Sequence, residues 1–166
     1  MTRTHVELPD RFSLRPAPRP DLRARVERVE ACPVSFFRYL YAEVGRSYFW
    51  LERIRWTDEQ IRARLGDPAV SLFLLTVAGA PAGYFELERH HDGSVEVVYF
   101  GLLPEFQGRG LGKFLLTEAV EAAWALGASR VWLHTCTLDH PGALANYLAR
   151  GFRAFRTETY EANLPD

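Results

Sequence analysis

Gly108, Gly110 and Gly112 stand at alternate positions directly before a stretch with helical apolar spacing. Glycines this dense let successive backbone N–H groups turn toward one point with no side chain in the way, and the helix start adds partial positive charge there. The chemistry this predicts is capture of an anion, with a diphosphate as the natural candidate. Two nucleotide motifs fail on spacing. A Walker-type loop needs glycine where Gln107 stands and Ser or Thr where Phe114 stands. The dinucleotide fingerprint needs a third glycine where Lys113 stands. Glu96 is the second group of interest: it interrupts the apolar run Val95 to Leu102, where a carboxylate is costly unless paired or functional. Gly101, in the same run, marks a close backbone approach or a bulge.

Around these groups the texture alternates between strand and helix. Val70 to Val77, Ala82 to Arg89 and Ser94 to Leu102 are strand-like runs separated by the turn signals Gly79-Ala80-Pro81 and His91-Asp92-Gly93, which predicts a three-stranded antiparallel meander. Leu111 to Leu126 carries Leu111, Leu115, Val120 and Trp124 at helical spacing, and a strand at Arg130 to Thr135 follows, so the unit is a parallel strand-helix-strand crossover. A last helix is expected from Pro141 to a glycine cap at Gly151, then a strand over Phe152 to Tyr160.

On the amino-terminal side a short strand is expected near Arg11 to Arg15. Pro16, Pro18 and Pro20 then impose an extended connector. Leu22, Val26 and Val29 have helical spacing over Asp21 to Glu30, and a second helical piece follows Pro33 with Phe36, Phe37, Tyr39, Leu40, Tyr41 and Val44. Thr57 with Gln60 is a capping-box pattern, and Gly66-Asp67-Pro68 stops the helix it opens. The expected fold class is mixed α/β on one central sheet, as a single domain over residues 1–166.

Composition sets the outer bounds. A chain of 166 residues, 48% hydrophobic and 25% charged, can bury one core and lacks the bias of a disordered or fibrous protein. A net charge of -1 from 20 basic and 21 acidic residues gives no general drive toward nucleic acid or an anionic membrane. Cys32 and Cys136 have neither disulfide-framework nor zinc spacing, which favours a reducing compartment. With no stretch near the ~20 apolar residues of a membrane span and no apolar leader in Met1 to Asp10, the expected location is the cytoplasm.

Gln107, Gly110 and Gly112 fit the Q/R-x-x-G-x-G/A signature, and the chain resembles the GCN5-related N-acetyltransferase (GNAT) superfamily beyond that loop. Val95 to Leu102 with Pro104-Glu105-Phe106 is similar to the family's fourth strand and its exit. Ala143, Tyr147 and Gly151-Phe152 match its final helix, with His140 where an asparagine often stands. The resemblance covers roughly residues 70 to 155. It implies a sheet whose family strands four and five, here 94–102 and 130–135, splay apart. It further implies acetyl-CoA as co-substrate without a metal, held by backbone at Phe100, Gly101 and Leu102 and by Gln107, Gly108, Arg109, Gly110, Leu111, Gly112 and Lys113.

The same resemblance makes Glu96 the general base that deprotonates an amine, with Glu86 and His134 as alternatives, and Tyr147 the acid for the leaving thiolate. Cys136 as a covalent nucleophile is weighed against a small apolar filler, and direct transfer is preferred. The aromatic set Phe36, Phe37, Tyr39, Tyr41, Tyr48, Phe49, Trp50 and Trp56 is expected to divide between core and the walls of an acceptor site. The expected acceptor is a small-molecule or peptide amine, with homodimerisation left open. A catalytically silent acyl-CoA-binding or sensing module and a transferase of longer acyl groups are the competing readings.

Overall fold

The computed structural model describes residues 1–161; the remaining five residues of the expected domain lie outside the described residues. Among the described residues seven strands form one sheet: β1 (Thr2–Leu8), β2 (Ala24–Arg28), β3 (Val70–Val77), β4 (Ala80–Arg89), β5 (Val95–Leu102), β6 (Val131–Cys136) and β7 (Arg153–Thr159). Their spatial order is β2-β3-β4-β5-β6-β1-β7. Every pairing is antiparallel except β5 with β6. The meander and the parallel crossover both stand as expected, since the crossover carries α3 (Leu111–Ala125) between the parallel strands.

Helices cover both faces. Leu115, Leu116, Ala119, Val120 and Ala123 of α3 are fully buried against Val6, Leu75, Phe85, Leu87 and Val131 of the sheet. On the other face α1 (Val34–Gly45) sets Leu40 and Val44 against Leu72 and Tyr84. α2 (Asp58–Gly66) starts with the expected capping box, Gln60 N donating to Thr57 Oγ1 at 3.2 Å and Thr57 N to Gln60 Oε1 at 2.8 Å. The short α4 (Ala143–Ala149) lies near α3. Among the described residues no helix is long and apolar enough to cross a membrane.

Two amino-terminal expectations are overturned. Arg11–Ser13 forms a 3-10 turn rather than a strand, because Asp10 Oδ1 accepts from the N–H groups of Phe12 and Ser13 and curls the chain. Asp21 to Glu30 is not helical: β2 occupies its centre and pairs with β3 from Ala24↔Val77 to Arg28↔Phe73. The apolar triplet Leu22, Val26 and Val29 misled, for Leu22 is 88% exposed while Ala24 and Val26 face the core at strand spacing. The proline connector is extended, fixed by Ala17 N donating to Thr117 Oγ1 of α3 at 2.9 Å.

One irregularity sets up the site. Glu86 faces Tyr99 while Leu87 faces Val97, so β5 carries one extra residue, Val98. This bulge reverses the alternation of β5. Phe100 and Leu102 pack toward the α3 side, and Tyr99 is brought to the α1 side.

Candidate active site

The parallel ladder between β5 and β6 lasts for two pairs, Val95↔Val131 and Glu96↔Trp132, and then stops. Beyond it the strands diverge around a cavity of about 1000 Å³. Among the described residues the β6-facing backbone of β5 past Glu96 thus has no strand partner, which leaves an open edge for an extended molecule to pair with. Phe100, Gly101 and Leu102 line the cavity along this edge. A Cβ on Gly101 would meet Val44 Cγ1 at 2.5 Å, so the glycine is required by the close approach of α1.

At one end of the cavity the chain turns through Gly108 and Gly110, both left-handed at φ 74 and 76, into α3. Among the described residues no side chain caps the start of α3. A Cβ on Gly108 would meet nothing within 4 Å, and one on Gly112 only Leu102 Cδ1 at 3.8 Å and Asn146 Nδ2 at 4.0 Å. The result is an open, positively polarised cradle suited to a diphosphate. Gln107, Gly108, Gly112 and Lys113 line the cavity; Arg109, Gly110 and Leu111 do not. Leu111 is core, Gly110 makes the turn, and the Arg109 guanidinium lies 5.2 Å from the Phe106 ring centre.

Tyr48 Oη accepts from Gln107 Nε2 at 2.8 Å, which ties the segment after α1 to the glycine loop. Tyr48, Phe49 and Trp50 all line the cavity. Three consecutive rings can do so because Phe49 takes a positive φ of 57. Trp50, Tyr41 and Tyr99 form a continuous aromatic wall, with Trp50 and Tyr99 centroids 4.8 Å apart and Tyr41 5.2 Å from Tyr99. His140, where an asparagine often stands, accepts from Gly142 N through Nδ1 at 3.0 Å just before α4, and among the described residues no side chain caps that helix.

The ionisable candidates separate by environment. Glu96 lines the cavity, is 12% exposed, and has Oε2 2.9 Å from His90 Nε2. Burial raises its pKa above the usual carboxylate range, against the opposing hydrogen bond from His90. Tyr147, 7% exposed, also lines the cavity, between the rings of Phe100 and Phe152; burial pushes its phenol upward, so it holds its proton at neutral pH. His134 lines the cavity from β6, and desolvation, with Arg3 and His5 nearby, lowers its pKa. Glu86 is brought elsewhere. It is fully buried outside the cavity lining, and both oxygens are bound by guanidinium groups: Arg53 at 2.6 and 2.9 Å, Arg64 at 2.7 and 3.2 Å. Burial raises the Cys136 thiol, which keeps it from acting as a ready thiolate.

His90 and the Arg53–Glu86–Arg64 network were not singled out from the sequence. The hairpin signal at His91-Asp92-Gly93 could have placed His90 diagonally from Glu96, two residues on from its direct partner Glu88, because such positions share one face of a hairpin. The ion network joins positions 33 and 22 residues apart in sequence and leaves no local pattern.

A model of the acetyltransferase (GNAT) family matches residues 37–152. A mycothiol acetyltransferase of Kineococcus radiotolerans is 34% identical over 116 residues, which are 69% of this chain and 38% of that protein. One from Thermomonospora curvata is 30% identical over 117 residues, 69% of this chain and 39% of that protein. The chain therefore spans under two-fifths of the length of these curated relatives. Among solved structures, an IAA acetyltransferase from Bacillus cereus superposes with a TM-score of 0.60 at 25% identity, covering 80% of this chain and 79% of that one. An aminoglycoside acetyltransferase from an uncultured soil metagenomic sample superposes at 0.69 with 15% identity, covering 89% and 100%, and bears on the fold alone.

Proposed function

Because the chain belongs to the acetyltransferase (GNAT) family, we propose that it transfers an acetyl group from acetyl-CoA to a primary amine by direct attack, both substrates being bound together. The observation that carries this is the early end of the β5–β6 ladder, which opens one cavity between an uncapped helix start and Glu96. The first N–H groups of α3 with the Gln107 to Lys113 loop hold the diphosphate, and the unpaired edge of β5 at Phe100, Gly101 and Leu102 holds the extended arm. The thioester supplies an activated acetyl carbonyl when bound. A backbone N–H on that edge is the natural donor to the oxygen that becomes negative during attack.

The amine arrives mostly as an ammonium, since an unperturbed alkylamine titrates near 10. Glu96 removes that proton at the acceptor end, where Tyr41, Trp50 and Tyr99 supply an apolar, aromatic wall. Tyr147 keeps its proton for the departing thiolate. The acceptor is a small-molecule or peptide amine; mycothiol and aminoglycosides stand in the names of the acetyltransferases it is similar to.

The test is release of free thiol from acetyl-CoA in the presence of pooled small amines, amino acids and peptide N-termini. Acceptor-dependent release supports transfer, whereas acetyl-CoA binding without release across the pool leaves a silent binding module. Repeating it with longer acyl-CoA molecules reads the acyl length. Tyr147→Phe is expected to lower kcat about tenfold, the value of roughly one hydrogen bond at the transition state, with KM for acetyl-CoA little changed. A thiolate is a much better leaving group than an amine, which keeps this loss moderate. An unchanged kcat would remove Tyr147 as the acid.

A further inference from the structure

Glu96 alone does not fix which way its carboxylate points, and its neighbours on the sheet do not hold it. Glu88, opposite it on β4, is engaged with Arg64, whose Nη1 and Nη2 reach Oε1 and Oε2 at 3.1 and 3.2 Å. The contact on Glu96 comes instead from outside the cavity. His90 Nε2 lies 2.9 Å from Glu96 Oε2, His90 is not part of the cavity lining, and its side chain is 36% exposed against 12% for Glu96. Oε1 of Glu96 has no hydrogen-bond partner among the described residues.

His90 is itself held on both sides. Its backbone closes the β4–β5 hairpin, with His90 N donating to Ser94 O at 2.9 Å and Gly93 N to His90 O at 3.0 Å. Its ring rests on Trp132, centroids 5.5 Å apart. Trp132 Nε1 donates to Ser94 Oγ at 3.1 Å, and Ser94 Oγ donates in turn to Asp92 Oδ1 at 2.6 Å. A histidine braced in this way presents one nitrogen at a fixed point.

We infer that His90 is a positioning residue for Glu96: from the hairpin it binds Oε2, and so turns Oε1 into the cavity toward the acceptor amine. The inference rests on Glu96 being the base. Glu88, His90 and Glu96 bring their ligating atoms within 4.8 Å of one another, as a metal site would, but the Arg64 guanidinium on both Glu88 oxygens opposes a cation there. The charged and titratable groups facing the pair are Glu88 and Arg64 on the Glu96 side, with Asp92 and Arg130 on the His90 side. A donor at Oε2 stabilises the carboxylate form, so its loss raises the pH at which Glu96 becomes a base.

The experiment is the pH profile of kcat/KM for wild type, His90→Ala, His90→Gln and Glu96→Gln, measured with the amine that gives the fastest thiol release. His90→Ala is expected to move the acidic limb up by about one pH unit and to lower kcat, with KM for acetyl-CoA unchanged. His90→Gln, which retains an N–H donor, should restore most of both. If Glu96→Gln loses activity while the limb of His90→Ala coincides with that of wild type, the positioning role is overturned and the base survives. If Glu96→Gln matches wild type throughout, the base assignment fails and His90 falls with it.

Discussion

Glu96→Gln is expected to lower kcat/KM by about 10²–10⁴-fold near neutral pH, the usual contribution of a positioned general base. The substitution preserves size and hydrogen-bonding shape while removing proton affinity, so KM for acetyl-CoA should stay near wild type. The loss should depend on pH with a definite sign. Burial holds the Glu96 pKa above the ordinary carboxylate value, so wild type gains activity as pH rises through that raised pKa and Glu96 ionises. Above it, wild type uses the abundant ammonium form of the acceptor, whereas the variant relies on the small free-amine fraction. That fraction grows tenfold per pH unit until the amine's own pKa near 10. The deficit is therefore widest on the acidic side of the working range and narrows toward pH 10. A deficit constant across pH would mean that Glu96 acts through charge or structure and not as a base.

Much of this site was legible because its signals are local. The glycine loop, the β3–β4–β5 meander, the crossover through α3 and the capping box at Thr57 each depend on residues a few positions apart, and the structure carries all of them. β1 and β2 were lost for the opposite reason. In Thr2–Leu8 only Val6 and Leu8 are fully buried, so polar residues fill most of a strand that is held between β6 and β7 by backbone pairing. In Ala24–Arg28 the pairing with β3 overrides an accidental helical spacing. Within the site, Glu96 was visible as a charge in an apolar run, but its fate was not. Glu86 occupies a similar position two residues before Glu88 on the adjacent strand, and nothing in its local sequence says that Arg53 and Arg64 close over it. The bulge at Val98, which brings Tyr99 to the aromatic wall of the cavity, is likewise a property of the β4–β5 register and not of β5 alone.

That difference between two glutamates gives the largest expected effect on stability. Glu86→Ala should destabilise the fold by about 3–5 kcal/mol, because it leaves the nearly buried Arg53 guanidinium with no carboxylate. Arg64 suffers less, since Glu88 still receives it. For a chain of this length each kcal/mol moves Tm by roughly 3 °C, so thermal unfolding should begin about 10 °C lower. Burial alone would lower the Arg53 pKa; the Glu86 carboxylate outweighs it and offsets the cost of the buried charge. Arg53 also lines the cavity, 4.4 Å from the Tyr99 ring centre and 4.7 Å from that of Trp56. Glu86→Ala should therefore raise KM for the amine more than KM for acetyl-CoA, with the pH profile of kcat retained because Glu96 is untouched. The double substitution Arg53→Met with Glu86→Leu removes both buried charges together and is expected to recover most of the lost Tm but not the amine KM. Recovery of both would make the pair purely structural, and a Glu86→Ala variant as stable as wild type would show that the network does not hold α2 and the acceptor wall to the sheet.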